Sequence, residues 1–154
     1  MIELRDTVVI DASPDAVWEW LQHLPDQYPS WHPDHLSARW VRGAGLTPGA
    51  ELEVRETLHG KPHRLRLRVT QVAPGRRLRY RVLPGLGGEL AVDPAAGGSA
   101  FTAVIRLGVG SPMLGPLVDR AIRLTLGSRL ATIERHQAEE GANLKSLLEQ
   151  SPSA

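Results

Sequence analysis

The period of apolar and polar positions changes twice along this chain. Residues 2–11 (IELRDTVVID) alternate loosely, as a strand with one buried face does. Ser13 and Pro14 then stand before Asp15-Ala16-Val17-Trp18-Glu19-Trp20-Leu21. A serine cap followed by proline in the first turn predicts a helix start. The prolines of 25–34 (PDQYPSWHPD) leave room for only a broken turn or two of helix. Residues 35–42, 50–59, 63–72, 76–83, 89–93 and 100–109 read as strands, with Gly and Pro in the connections. From Pro112 to about Gln150 the period becomes helical, with Gly115-Pro116 interrupting the first turn. Residues 1–150 read as a single domain, and 151–154 as a frayed tail.

This order predicts an α+β fold of the helix-grip kind. A curved antiparallel sheet of about seven strands wraps around a long C-terminal helix, with two short helices after the first strand. The long helix is the only element large enough to cover the apolar face of such a sheet. A cavity between helix and sheet is the natural place for a small ligand. Its expected lining is Trp31, Leu52, Val54, Leu65, Leu67, Leu126, Leu130 and Ile133.

One face of the long helix is unusual. Ile133, His136, Glu140, Leu144 and Leu147 follow each other at spacings of 3, 4, 4 and 3, so all five share one face. His136 and Glu140 therefore point where their apolar neighbours point. An ionisable pair aimed at an interior is costly unless a metal, a polar ligand or a buried partner compensates it.

The period-2 rule finds two more inward polar residues. Leu52, Val54, Glu56 and Leu58 share the apolar face of 50–59. His63, Leu65, Leu67 and Val69 share that of 63–72, which makes Glu56 and His63 cross-strand neighbours. His32 and His35 compete for the inward position at the start of the second strand, since a one-residue change of register exchanges their faces. His35, Glu56, His136 and Glu140 together form a two-His, two-carboxylate set that suits zinc or another divalent first-row metal. His32, His63 and Tyr28 are candidates for supporting such a site or moving a proton in it. Each also has a structural reading: a satisfied core histidine for His136, a surface position for Glu140, an ion pair for Glu56.

Composition narrows the classes. The 154 residues include 42% hydrophobic and 23% charged, the balance of a soluble domain, with a net charge of +1. There is no cysteine, so thiolate metal sites and thiol nucleophiles are excluded. No leader or membrane-spanning run is seen, and a cytoplasmic location is expected. The arginines at 64, 66, 68, 76, 77, 79 and 81 read as the solvent face of a hairpin with Glu51, Glu53 and Glu56 as partners. Without interleaved aromatics they give no case for nucleic acid. The oligomeric state is not read from the chain.

The opening VVIDASPDAVWEWLQHLPDQYPSWHP resembles the start of the SRPBCC superfamily, the START-like or polyketide cyclase-like proteins. The matching positions are Ser13, Pro14, Val17, Trp18 and Trp31. The resemblance implies the helix-grip fold and a cavity for a small hydrophobic or aromatic molecule. It extends to carriers, cyclases and hydrolases alike. More narrowly, Tyr28-Pro29-Ser30-Trp31-His32-Pro33-Asp34-His35 is similar to a stretch of the diacetylphloroglucinol and phloretin hydrolases. Those enzymes cleave a carbon–carbon bond beside an aromatic ring with zinc held by two His and two Glu. Their last two ligands are spaced like His136 and Glu140, which implies His35 and Glu56 as the other two. This chain is shorter and has one residue fewer between Trp31 and His35 than that pattern.

Overall fold

Residues 1–150 are described by a computed structural model. β1 (Ile2–Ile10) leads into α1 (Pro14–Gln22) and α2 (Leu24–Trp31). Then come β2 (His35–Arg42), β3 (Glu51–Leu58), β4 (Lys61–Ala73), β5 (Arg77–Leu83), β6 (Leu86–Ala95) and β7 (Gly98–Leu107). The chain closes with α3 (Gly115–Leu126) and α4 (Ser128–Gln150). The strands form one antiparallel sheet in the order β1-β7-β6-β5-β4-β3-β2. This is the helix-grip arrangement expected from the order of elements. The tail at 151–154 lies outside the described residues.

Local chemistry accounts for most boundaries. Ser13 accepts the Ala16 N–H through its hydroxyl and caps α1, with Pro14 as the first helical residue. α2 is a continuous two-turn helix despite Pro29 in its interior. The burial of Leu24, Tyr28 and Trp31 outweighs the one backbone bond that Pro29 cannot make. The expected single C-terminal helix is two helices. They part at Gly127, whose φ of 46° and ψ of −121° lie outside helical geometry. The sixth strand is longer than the apolar run 89–93, because Leu86, Gly87 and Gly88 also pair with β7.

Two apolar clusters fill the concave side. The larger joins Trp18, Trp20, Trp31, Phe101 and Leu144 to inner residues of β3 to β6. The smaller joins Ile2, Leu4 and Leu107 to Ile122, Leu126, Leu130 and Ile133. α4 runs over β1 and β7 at one edge, and α2 covers β2 at the other. The inner faces of β4 and β5 are left half covered, so Leu65, Leu67 and Tyr80 are only partly buried.

The deepest stripe of α4 is Gln137, Gly141 and Leu144, one position away from the apolar pattern. Gln137 is buried and donates through Nε2 to the carbonyls of Ala103 (2.7 Å) and Leu4 (3.3 Å), which ties the helix to β7 and β1. Gly141 allows the closest approach, since a Cβ there would stand 2.7 Å from Asp6 Oδ2. We expect Gln137→Met, which keeps the volume and loses the donor, to cost about 1–3 kcal/mol. A chemical-denaturation midpoint unchanged from the parent would show that packing alone sets the helix.

Candidate functional site

Four of the residues singled out along the chain meet in the structure. β2 opens with His35, β3 supplies Glu56 opposite it, and α4 supplies His136 and Glu140 one turn apart. One ligand atom each of His35, Glu56 and His136 lies within 4.8 Å of the others. Glu140 Oε1 stands 2.8 Å from His35 Nε2 and 3.0 Å from His136 Nε2. The two imidazole nitrogens are 3.3 Å apart, and Glu56 Oε2 is 3.9 Å from His35 Nε2. The His35 side chain is fully buried; the other three keep between 12% and 19% of their side-chain surface.

The end of α2 places this cluster. Trp31 Nε1 donates to the Glu140 carbonyl (2.9 Å), and Asn143 Nδ2 donates back to the Trp31 carbonyl (3.0 Å). Tyr28 stacks on His35 with ring centroids 3.8 Å apart and planes within 3°. Its hydroxyl donates to Glu56 Oε2 at 2.5 Å, and its backbone carbonyl accepts from His35 Nδ1 at 3.0 Å. His35 is thereby the inward histidine of the competing pair.

That carbonyl can only accept, so His35 Nδ1 carries a hydrogen, and a neutral ring turns the Nε2 lone pair toward Glu140 Oε1. Two lone pairs at 2.8 Å repel. A proton or a cation has to lie among these atoms. The four donors of a tetrahedral zinc site stand roughly 3.3–3.6 Å from one another, given bonds of about 2.0–2.2 Å. The spacings of 2.8, 3.0, 3.3 and 3.9 Å bracket that value. Nitrogen and oxygen donors with two carboxylates suit a divalent first-row ion. The residues therefore fit such a group.

The titration of the pair reflects the same contest. Burial by itself would raise the Glu140 carboxyl, but hydrogen bonds and charges from His136 and His35 outweigh it and hold it below 4.5. Burial would lower His136, yet the Glu140 bond and the charges of Glu140, Glu56 and Asp34 hold it above 6.5. Burial pushes the Tyr28 and Tyr80 phenols well up, with the Glu56 and Glu140 carboxylates adding to it.

The other sequence candidates fall elsewhere. His32 is buried beside the cluster, its ring 4.0 Å from that of His136. Its Nδ1 accepts the Asp34 N–H (3.0 Å), so its Nε2 donates to Glu139 Oε2 (2.7 Å) and neither nitrogen is free. His63 pairs with Glu56 in the register as expected, but its side chain is exposed instead of inward. It lies at the end of the β3–β4 hairpin, close to the turn at His59-Gly60. The expected cavity lining divides. Trp31, Leu52, Val54, Leu65 and Leu67 belong to the larger cluster, whereas Leu126, Leu130 and Ile133 pack in the smaller one over β1 and β7. The course of α4 along that edge separates them. Two concavities, about 470 Å³ beside Gln71, Arg77 and Arg79 and about 230 Å³ beside Arg39, Glu53 and Arg64, open on the outer side of the sheet.

Glu139 and Tyr80 escaped the sequence reading, and Asp34, expected only at the rim, joins them at the cluster. Asp34 Oδ2 stands 3.8 Å from His136 Nδ1, on the side of the ring away from Glu140. Glu139 holds His32. Tyr80 lies on the inner face of β5, close enough for the Glu56 and Glu140 charges to act on its phenol, and its hydroxyl has no hydrogen-bond partner among the described residues. Its ring lies over Gly88, where a Cβ would come within 2.5 Å of the hydroxyl. The pairing of a half-covered tyrosine with a glycine directly opposite is a signal, though it needs the register to be seen.

A family model described as polyketide cyclase / dehydrase and lipid transport matches residues 1–140. The chain belongs to this family, within the SRPBCC superfamily. No curated protein matches the chain in sequence. Solved structures share its fold. The KanY protein is 16% identical with a TM-score of 0.71, over 96% of this chain and 97% of that one. TTHA0849 from Thermus thermophilus is 16% identical with a TM-score of 0.69, over 97% and 100%. The di-domain ARO/CYC BexL from the BE-7585A biosynthetic pathway is 18% identical with a TM-score of 0.65, and 48% of its length is covered by all of this chain. Domains of this family bind small molecules, and no helix among the described residues is long and apolar enough to cross a membrane.

The two shifts give metal-free protein a stability window. The Glu140 contribution is complete above its ordinary value of 4.5 and is lost as pH falls through the lowered one. The His136 contribution is complete below 6.5 and is lost as pH rises through the raised one. In the presence of a chelator, stability measured by denaturant should therefore be flat between pH 4.5 and 6.5 and decline outside. Glu140→Gln should shrink both flanks, leaving what Glu56 and Asp34 contribute to His136; identical profiles would mean that the pair is not coupled.

Proposed function

We propose that this chain binds a small apolar or aromatic molecule between sheet and C-terminal helix, oriented by a divalent metal centre on His35, Glu56, His136 and Glu140. The observation that carries the reading is the position of these four side chains, beside the half-covered inner faces of β4 and β5. Apolar area for a ligand is offered by Leu65, Leu67 and the Tyr80 ring. Polar groups at one end would fix its orientation, the usual division of labour in a small-molecule site. A bound zinc or similar ion would supply Lewis acidity toward a ligand oxygen.

The chain's own residues then have separate tasks. Tyr28 holds Glu56 by its hydroxyl and His35 by stacking and by its carbonyl, so both keep one orientation. Asp34 faces His136 Nδ1 and favours the tautomer that leaves Nε2 for the centre. Tyr80 offers a free donor to a ligand oxygen. The family description and the ARO/CYC designation of BexL support a polyketide-like or other aromatic ligand.

The alternative is hydrolysis of an aromatic ketone at a carbon–carbon bond. That reaction needs a proton donor at the leaving carbon. Tyr28 and His32 are each committed, to Glu56 and Glu139, so both would have to exchange partners first. Binding is accordingly the reading we adopt.

Elemental analysis of untagged protein should find near-stoichiometric divalent metal. In the His136→Ala, Glu140→Ala double variant, affinity should fall by more than the roughly 10–100-fold typical of losing an outer partner. A parent that takes up no metal from excess zinc would remove the metal centre and leave a carrier of apolar ligands. Tyr80→Phe should weaken 1-naphthol binding about 2–10-fold, the worth of one hydrogen bond, without affecting naphthalene. Tryptophan quenching reads both, and equal losses for the two ligands would rule out a hydroxyl contact.

A further inference from the structure

The outer face of the sheet carries a charge pattern that neither the fold nor the cluster explains. Arg42, Glu51, Arg68 and Arg81 form one lateral row across β2 to β5. Two rows further along, beyond Glu53 and Arg66, Arg55 stands directly opposite Arg64. Like charges facing each other across strands destabilise a sheet, and both Arg68/Arg81 and Arg55/Arg64 are such pairs. Among the described residues, Arg55, Arg68 and Arg81 have no ion-pair partner.

The carboxylates on this face are sunk beneath the arginines. Glu53 has 9% of its side chain exposed, against 72% and 65% for its partners Arg39 and Arg64. Glu89 is 9% exposed below Arg77 and Arg79, which are 48% and 44% exposed. A buried carboxylate holds a guanidinium by one edge and leaves its remaining N–H groups pointing outward. A partner would meet a pre-oriented layer of guanidinium groups. The whole chain is only +1, so the rest of the molecule is correspondingly acidic.

From this we propose that the outer face of β2 to β5 is a docking surface for an acidic protein. Rows of arginine recur every second residue along a strand, at about 6.8 Å, and across strands at about 4.8 Å. Carboxylates on one face of an acidic helix are about 5–6 Å apart, which matches this grid. Among the described residues, the exposed large apolar side chains of these strands, Leu36, Val41 and Leu83, stand singly at or beside strand irregularities, too few to enter a lipid surface, and no aromatic side chain lies among the arginines to stack on bases. The outer side of a sheet curved around its helix does not enter a duplex groove. The acidic remainder of the molecule opposes general attraction to a polyphosphate.

Fluorescence anisotropy at about 0.15 M salt, with labelled poly-L-glutamate as the probe, tests this. The parent should bind, and the Arg55→Gln, Arg68→Gln, Arg81→Gln variant should bind at least tenfold more weakly. Its melting temperature should hold or rise, because two like-charge pairs are relieved. Absence of parent binding at that salt, or equal binding by the variant, would overturn the proposal. So would tighter binding of a 20-base-pair DNA duplex or of phosphatidylserine vesicles than of poly-L-glutamate.

Discussion

Everything at the polar cluster depends on where α4 lies over the sheet. A helix packed by apolar contact alone can slide or roll by a fraction of a turn at little cost. Here it is pinned twice. Gln137 sends one buried amide to carbonyls of two strands, and the Trp31 indole and Asn143 amide clasp the end of α2 to the following turn. Buried donors left without acceptors would cost about 1–3 kcal/mol each. The helix is held in the one rotation that brings His136 and Glu140 against β2.

The same pinning makes the polar cluster tolerable. Four ionisable side chains under partial cover would be unstable as isolated charges. Gathered within hydrogen-bond reach, they offset one another: the imidazoles lower the Glu140 carboxyl and Glu140 raises His136. The balance is incomplete, since too many acceptors converge on one point, and this imbalance is the physical reason a cation suits the site. The family match and the shared fold of KanY and TTHA0849 account for the container.

Much of the fold was legible from period and punctuation. Most strand boundaries, the Ser13-Pro14 helix start and the two short helices after β1 follow from local chemistry. Glu56 could be placed inward because its strand alternates cleanly, and His136 with Glu140 because they repeat at helical spacing. The stripe itself was shifted by one position, since Gln137 and Gly141 are buried for reasons of bonding and clearance that hydropathy does not carry. His63 was misplaced because alternation continues to the end of a hairpin even where cover does not.

What the sequence by itself determined is the order of elements, the helix-grip class and the short list of inward polar residues, because these depend on spacing within single elements. Only the tertiary structure decided that His35 and not His32 faces inward, that α4 favours the β1 edge, and that the Tyr80 ring lies over Gly88. Those outcomes depend on contacts between elements far apart in the chain. Register, bulges and the rotation of one helix set them, and none of the three leaves a periodic trace in the residues themselves.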